Sequence, residues 1–152
     1  MANNITKISW DEIHSITKTL ADDISKKHHI DCIVAIARGG LIPARYLAKY
    51  LNIKRIYTFG IEFYNDVNKK FRVPHIYQKF TTTFNANQVV LIVDDVIDSG
   101  ESMGVVVNEV IKNGAKNFVT CSLHYKPKST YKPSFYGKQI ENTVWIKYDW
   151  EK

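Results

Sequence analysis

One stretch of this chain narrows its possible folds more than any other. Gln88 to Val93 is the most apolar strand-like run, it gives way to Asp94-Asp95-Val96-Ile97-Asp98-Ser99-Gly100-Glu101-Ser102, and an apolar helical pattern follows to about Lys112, closed by Asn113-Gly114. Strand, polar loop and helix in that order is the unit of a parallel sheet covered on both faces, with ligands at the carboxyl ends of its strands. The rest of the chain repeats the alternation. Ile13, Ile16, Leu20 and Ile24 recur at three- and four-residue steps between Trp10 and Lys27, with Ser9 as N-cap ahead of Glu12. Ile30 to Ala37 has the pattern of a buried strand ending at Arg38-Gly39-Gly40, and Pro43 opens a helix to about Leu51. Arg55 to Phe63 and Phe118 to Tyr125 read as strands, and Val144 to Trp150 is an aromatic final run. Tyr64 to Tyr77, with Pro74, has no period and reads as a long mobile segment, while Lys126 to Asn142, with Pro127 and Pro133, reads as a polar loop. The pattern predicts one α/β domain over residues 1–152, with a twisted, mainly parallel sheet flanked by helices.

Chemistry is expected between Asp94 and Ser102. Free backbone N–H groups at a helix start, with Ser99 and Ser102 beside them, suit a phosphate monoester, because unsatisfied donors and the helix dipole favour an anion. Asp94 and Asp95 would repel that phosphate, so they should face ribose hydroxyls or a hard divalent cation such as magnesium. Two acids ending a strand before a capped helix are also an ordinary structural arrangement, and the loop alone leaves both readings open.

The totals narrow the classes of function. A chain of 152 residues, 45% hydrophobic and 24% charged, can bury one core and is too short for two ordinary domains. No leader-like start and no bilayer-length apolar run are present, so a cytoplasmic protein without a membrane partner is expected. Cys32 and Cys121 lie inside strand-like runs far from any metal-like spacing, as buried thiols of a reducing compartment do. His14, His28, His29, His75 and His124 form no ligand spacing, which removes zinc chemistry. The absence of Gly-x-x-x-x-Gly-Lys-Ser/Thr and Gly-x-Gly-x-x-Gly removes support for triphosphate hydrolysis and dinucleotide redox chemistry. A net charge of +6 suits a polyanionic partner: nucleic acid, an acidic membrane surface or a phosphorylated small molecule. Lys69, Lys70 and Arg72 form one basic cluster, and Lys126, Lys128, Lys132 and Lys138 fall in a stretch without acids.

The thirteen residues Val90 to Ser102 resemble the phosphoribosyl pyrophosphate signature of type I phosphoribosyltransferases: an apolar strand, two acids, two apolar residues, Asp, then Ser/Thr-Gly-x-Ser/Thr. The likeness extends from Ile8-Ser9-Trp10 to Trp150, and the chain is similar to bacterial xanthine-guanine phosphoribosyltransferases and related short purine enzymes. The resemblance implies that family's fold, with a small base-binding hood made by about 126–152 together with the N-terminal segment. It implies transfer of 5-phosphoribosyl from phosphoribosyl pyrophosphate to a 6-oxopurine (hypoxanthine, guanine or xanthine) in purine salvage, with Mg2+ as cofactor, in a homodimer or homotetramer.

By position in the family's motifs, Arg38, Gly39 and Gly40 bind pyrophosphate, with a cis peptide expected there. Asp94 and Asp95 hold the ribose and the metal, Ser99, Gly100, Glu101 and Ser102 take the 5′-phosphate, and Asp98 is the general base. Lys126, followed by Pro127, reaches the purine 6-oxo group, while Trp145 and Ile146 stack on and bracket the base. Lys69, Lys70 and Arg72 fall where the family has a flexible lid. Lys147 departs from the pattern, because the xanthine-guanine enzymes carry a carboxylate two residues after the stacking Trp. Two other readings stay open: a regulatory protein of this fold that binds the donor and nucleic acid, and a phosphoribosyltransferase for another base. Asp98 and the lack of an added DNA-binding domain argue against the first, so nucleic acid is not an expected partner.

Overall fold

The computed structural model describes residues 4–65 and 72–151. Along the chain run β1 (Asn4–Ile8), α1 (Trp10–Lys27), β2 (Cys32–Ala37), α2 (Leu41–Tyr50), β3 (Ile56–Asn65), β4 (Arg72–Gln78), β5 (Val89–Ile97), α3 (Glu101–Lys112), β6 (Asn117–Tyr125), β7 (Phe135–Gln139) and β8 (Val144–Tyr148). Six strands form the main sheet in the order β4-β3-β2-β5-β6-β7, and β1 and β8 form a second sheet of two. Pairing in the main sheet is parallel except for β4 on β3, which gives the mainly parallel α/β fold predicted by the alternation.

Two-residue alternation decides what each face of the sheet buries. Ile33 and Ala35 of β2, with Leu91 and Val93 of β5, point to α1 and α2 and join Ile13, Leu20, Ile24 and Leu47 in one core. Cys32, Val34 and Ile36, with Val90 and Ile92, point the other way onto Met103, Val106 and Val110 of α3. Strands covered on both faces must be apolar at every position, which is why β2 and β5 read as continuous apolar runs.

α1 begins where expected, because Ser9 and Glu12 form a capping box: Glu12 N–H donates to Ser9 Oγ at 3.2 Å and Ser9 N–H to Glu12 Oε2 at 3.0 Å. Three expectations need correction. β5 does not stop at Val93 but continues to Ile97, since β6 runs on beside it and pairs Asp94 with Ser122 and Val96 with His124. Asp94 and Asp95 are therefore strand residues. The segment expected to be irregular from Tyr64 to Tyr77 is strand at both ends, pairing Tyr64 with Val73 and Asn65 with Arg72. An edge strand needs half its backbone groups paired and tolerates charges and Pro74, so β4 carries little apolar signal. Likewise the expected loop from Lys126 to Asn142 contains β7, a sheet edge whose residues are mostly exposed.

Candidate active site

Every residue with an expected role among the described ones lies at or beyond the carboxyl end of a main-sheet strand, or on β8 and the hairpin β3–β4. Arg38 follows β2 and is exposed, and the Ala37–Arg38 peptide is cis. Gly39 and Gly40 are required by crowding: a Cβ on Gly39 would press on the Asp95 carboxylate, and one on Gly40 would sit 2.7 Å from Ile36 O and closer still to Val93 O. Arg38, Gly39 and the two acids of β5 thus meet at one place, with Gly39 packed directly against Asp95. They line a cavity of about 650 Å³ that also holds Glu62, Tyr77, Trp150 and Glu151.

Asp94 and Asp95 share an environment hostile to charge. Burial, then the neighbouring Asp95 carboxylate, pushes Asp94 well above the usual carboxylate range, and burial also raises Asp95 against the hydrogen bonds it accepts. Among the described residues neither has a basic partner, and Glu151 adds negative charge near Asp95. A pair of this kind is poised for a ligand that brings hydroxyl donors or a cation.

At the start of α3, Gly100 has φ 86°, and a Cβ there would meet Tyr131 N at 2.6 Å. Ser99 Oγ accepts from Glu101 N–H at 3.3 Å, while Thr130 donates to Ser99 O through both N–H and hydroxyl at 2.9 Å. The loop is thereby stitched to the segment after β6. Glu101 turns its carboxylate to Arg72, 3.7 Å away, and the Arg72 guanidinium lies 5.0 Å over the Phe63 ring. Lys69 and Lys70, expected in the same lid, lie outside the described residues.

Asp98 stands between two lysines. Lys126 Nζ donates to its Oδ2 at 3.0 Å and is almost wholly buried, and Lys128 Nζ lies 3.0 Å from Oδ1 without hydrogen-bond alignment. Burial works to raise the carboxyl, but the Lys126 hydrogen bond and the close positive charges of Lys126 and Lys128 outweigh it, and Asp98 is held below the ordinary carboxylate range. Asp98, Lys126, Trp145 and Ile146 line a cavity of about 140 Å³ together with Glu151 and Tyr148. A further cavity of about 530 Å³ brings Arg72, Ser99, Gly100, Ser102 and Lys128 against Asp98 and Trp145.

β8 alternates: Trp145 is 56% exposed and faces these cavities, Ile146 and Tyr148 are buried, and Lys147 is exposed and lines none of the three. The structure thus brings together the residues expected for pyrophosphate, ribose, phosphate and base. It adds Lys128, Trp150 and Glu151, which no motif marked. Lys128 was visible as part of the basic run, but its aim at Asp98 depends on the turn after β6.

The whole arrangement spans the chain, and so does its kinship. A family model described as the phosphoribosyl transferase domain matches residues 9–151. The chain belongs to this family. Xanthine-guanine phosphoribosyltransferase from Desulfotalea psychrophila is 31% identical over 144 residues, 95% of this chain and 84% of that protein. Among solved structures, a purine phosphoribosyltransferase from Pyrococcus horikoshii superposes with a TM-score of 0.88 at 30% identity, covering 97% of this chain and 95% of that one. A Neisseria gonorrhoeae protein solved with bound ppGpp superposes at 0.85 with 28% identity, covering 100% and 92%. No described helix of this phosphoribosyl transferase domain is long and apolar enough to cross a membrane.

Proposed function

We propose that this chain transfers 5-phosphoribosyl from phosphoribosyl pyrophosphate to a ring nitrogen of a 6-oxopurine, releasing pyrophosphate and the nucleoside monophosphate, in cytoplasmic purine salvage. The observation that carries this reading is the Lys126–Asp98 pair beside exposed Trp145, at the end of the strand that bears Asp94 and Asp95. A cation for a carbonyl, a carboxylate for a proton and an aromatic face for a ring are what a 6-oxopurine asks for. The names of the Desulfotalea and Pyrococcus relatives support the purine. The ppGpp of the Neisseria protein joins guanine and pyrophosphate groups in one molecule, the two chemistries this reading asks of one site.

Asp94 and Asp95 fit magnesium: two part-buried carboxylates without a basic partner among the described residues gain from a hard cation, and magnesium is commonly held by one or two carboxylates, substrate oxygens and water. When bound, the ion would neutralise charge gathering on the leaving pyrophosphate. Arg38 supplies positive charge to the same group, and Gly39 and Gly40 let the backbone approach it. The backbone at Ser99 to Ser102 and the start of α3 hold the 5′-phosphate, while the Glu101 carboxylate turns to Arg72. The acids of β5 also orient the ribose. Asp98 holds or takes the proton of the purine ring while Lys126 favours a 6-oxo over a 6-amino group. The β1–β8 sheet forms the hood over the base, and Arg72 belongs to the lid over the donor. The active form is a homodimer or homotetramer.

Pyrophosphate release from donor and Mg2+ with hypoxanthine, guanine, xanthine, adenine and uracil tests the reading. Release with the 6-oxopurines and not with adenine or uracil is expected. Tight donor binding with no release from any base would replace it with the regulatory alternative, and release with uracil alone with an enzyme for another base.

A further inference from the structure

β8 carries Trp145 and Ile146, and its last residue, Tyr148, reaches back into the main sheet. Its hydroxyl lies 3.1 Å from the Asp95 main-chain carbonyl and 2.8 Å from His124 Nδ1. A carbonyl only accepts, and a phenol has one hydrogen, so that hydrogen goes to Asp95 and the second bond runs from His124 Nδ1–H to the phenol oxygen. The hydrogen bonds therefore run from His124 on β6 to Tyr148 on β8, and from Tyr148 to the accepting carbonyl of Asp95 on β5. His124 is 1% and Tyr148 2% exposed, and the Tyr148 ring stacks on Trp150 at 4.3 Å. Among the described residues, these are the only side-chain hydrogen bonds joining β8 to β5 or β6. β8 otherwise pairs with β1.

We infer that Tyr148 is a positioning residue, oriented by His124, that fixes Trp145 and Ile146 relative to the acids of β5. The inference rests on the function proposed above, which puts the base at Trp145 and the ribose at Asp94 and Asp95. Burial of Ile146 holds β8 down but has no direction, whereas a hydrogen bond from the last residue of β8 to the backbone of Asp95 sets height and register. Joining a base nitrogen to a ribose carbon demands that the two binding halves be held within a fraction of an ångström. The bond ties the base strand to the backbone of a ribose-binding residue.

Tyr148→Phe keeps the ring on Trp150 and removes the hydroxyl. Expected is a kcat/KM for the base lowered about 10- to 100-fold, chiefly through KM, with the donor dissociation constant by calorimetry within about twofold. His124→Leu should behave alike, while His124→Asn, whose amide can donate from nearly the place of Nδ1, should recover most of the loss; these two serve also if Tyr148→Phe does not fold. A Tyr148→Phe protein with unchanged base KM, or variants whose donor and base affinities fall together in step with melting temperature, would overturn the positioning role alone. A wild-type protein that turns over no base would overturn the proposed function and this inference with it.

Discussion

Lys126 and Asp98 form an ion pair 3.0 Å long whose lysine side chain is only 5% exposed. Purine O6 and N7 are neighbours on one edge of the base, so a cation suited to the oxygen and a carboxylate suited to the nitrogen converge on that edge. In the function proposed above, this pair would present a donor and an acceptor together to that edge.

Asp98→Asn keeps the shape and removes the proton acceptor. Nucleotide formation should fall about 10²- to 10⁴-fold, with donor affinity retained. Steady-state rates beside donor titration calorimetry separate the two effects.

The acid limb of the pH profile should report Asp98. Although burial raises its carboxyl, the Lys126 hydrogen bond and the positive charges of Lys126 and Lys128 win, so the group is ionised down to a pH below the ordinary carboxylate value. Activity carried by the carboxylate is then full above that pH and lost as pH falls through it. In Lys126→Met one lowering partner is gone and burial remains, so the limb in kcat/KM against pH should move upward, and preference for hypoxanthine over adenine should shrink.

His124 makes stability depend on pH in a defined window. Burial, with help from Lys138 and against Glu12, lowers its imidazole from 6.5 to about 4. Between those values the unfolded chain binds a proton that the native protein refuses, so stability falls as pH drops from about 6.5 to about 4 and is unaffected by this group above that range. The difference is on the order of 3 kcal/mol. Urea melts at several pH values should show the slope in the wild type and a smaller one in His124→Asn.

The glycines at the site should separate fold from function. A methyl at Gly40 meets backbone oxygens of β2 and β5, which cannot move aside, so Gly40→Ala should cost about 1–3 kcal/mol of stability. At Gly39 the obstacle is the Asp95 side chain, which can turn away. Gly39→Ala should therefore lose most activity while its melting temperature stays nearer the wild type.

Much of this was legible in the sequence because buried parallel strands are apolar throughout and α1 announces itself by a capping box. β1, β4 and β7 were not legible: edge strands and a two-stranded sheet bury few side chains, so no two-residue alternation appears. Asp94 and Asp95 looked like loop residues because acids seldom lie inside central strands, and only the continued pairing with β6 shows otherwise. The Val90–Ser102 loop could be read from its own residues, while Arg38-Gly39-Gly40, Lys126 and Trp145 were marked by their positions in the family's motifs. Glu151 and Tyr148 could not, since their approach to Asp95 arises from the return of β8 over the sheet.

The most direct test mixes protein, phosphoribosyl pyrophosphate, Mg2+ and hypoxanthine and follows nucleotide and pyrophosphate together by chromatography. The account predicts one nucleoside monophosphate for each pyrophosphate released by the wild type, and almost none by Asp98→Asn. Pyrophosphate released without nucleotide, or equal nucleotide yields from both proteins, would contradict it.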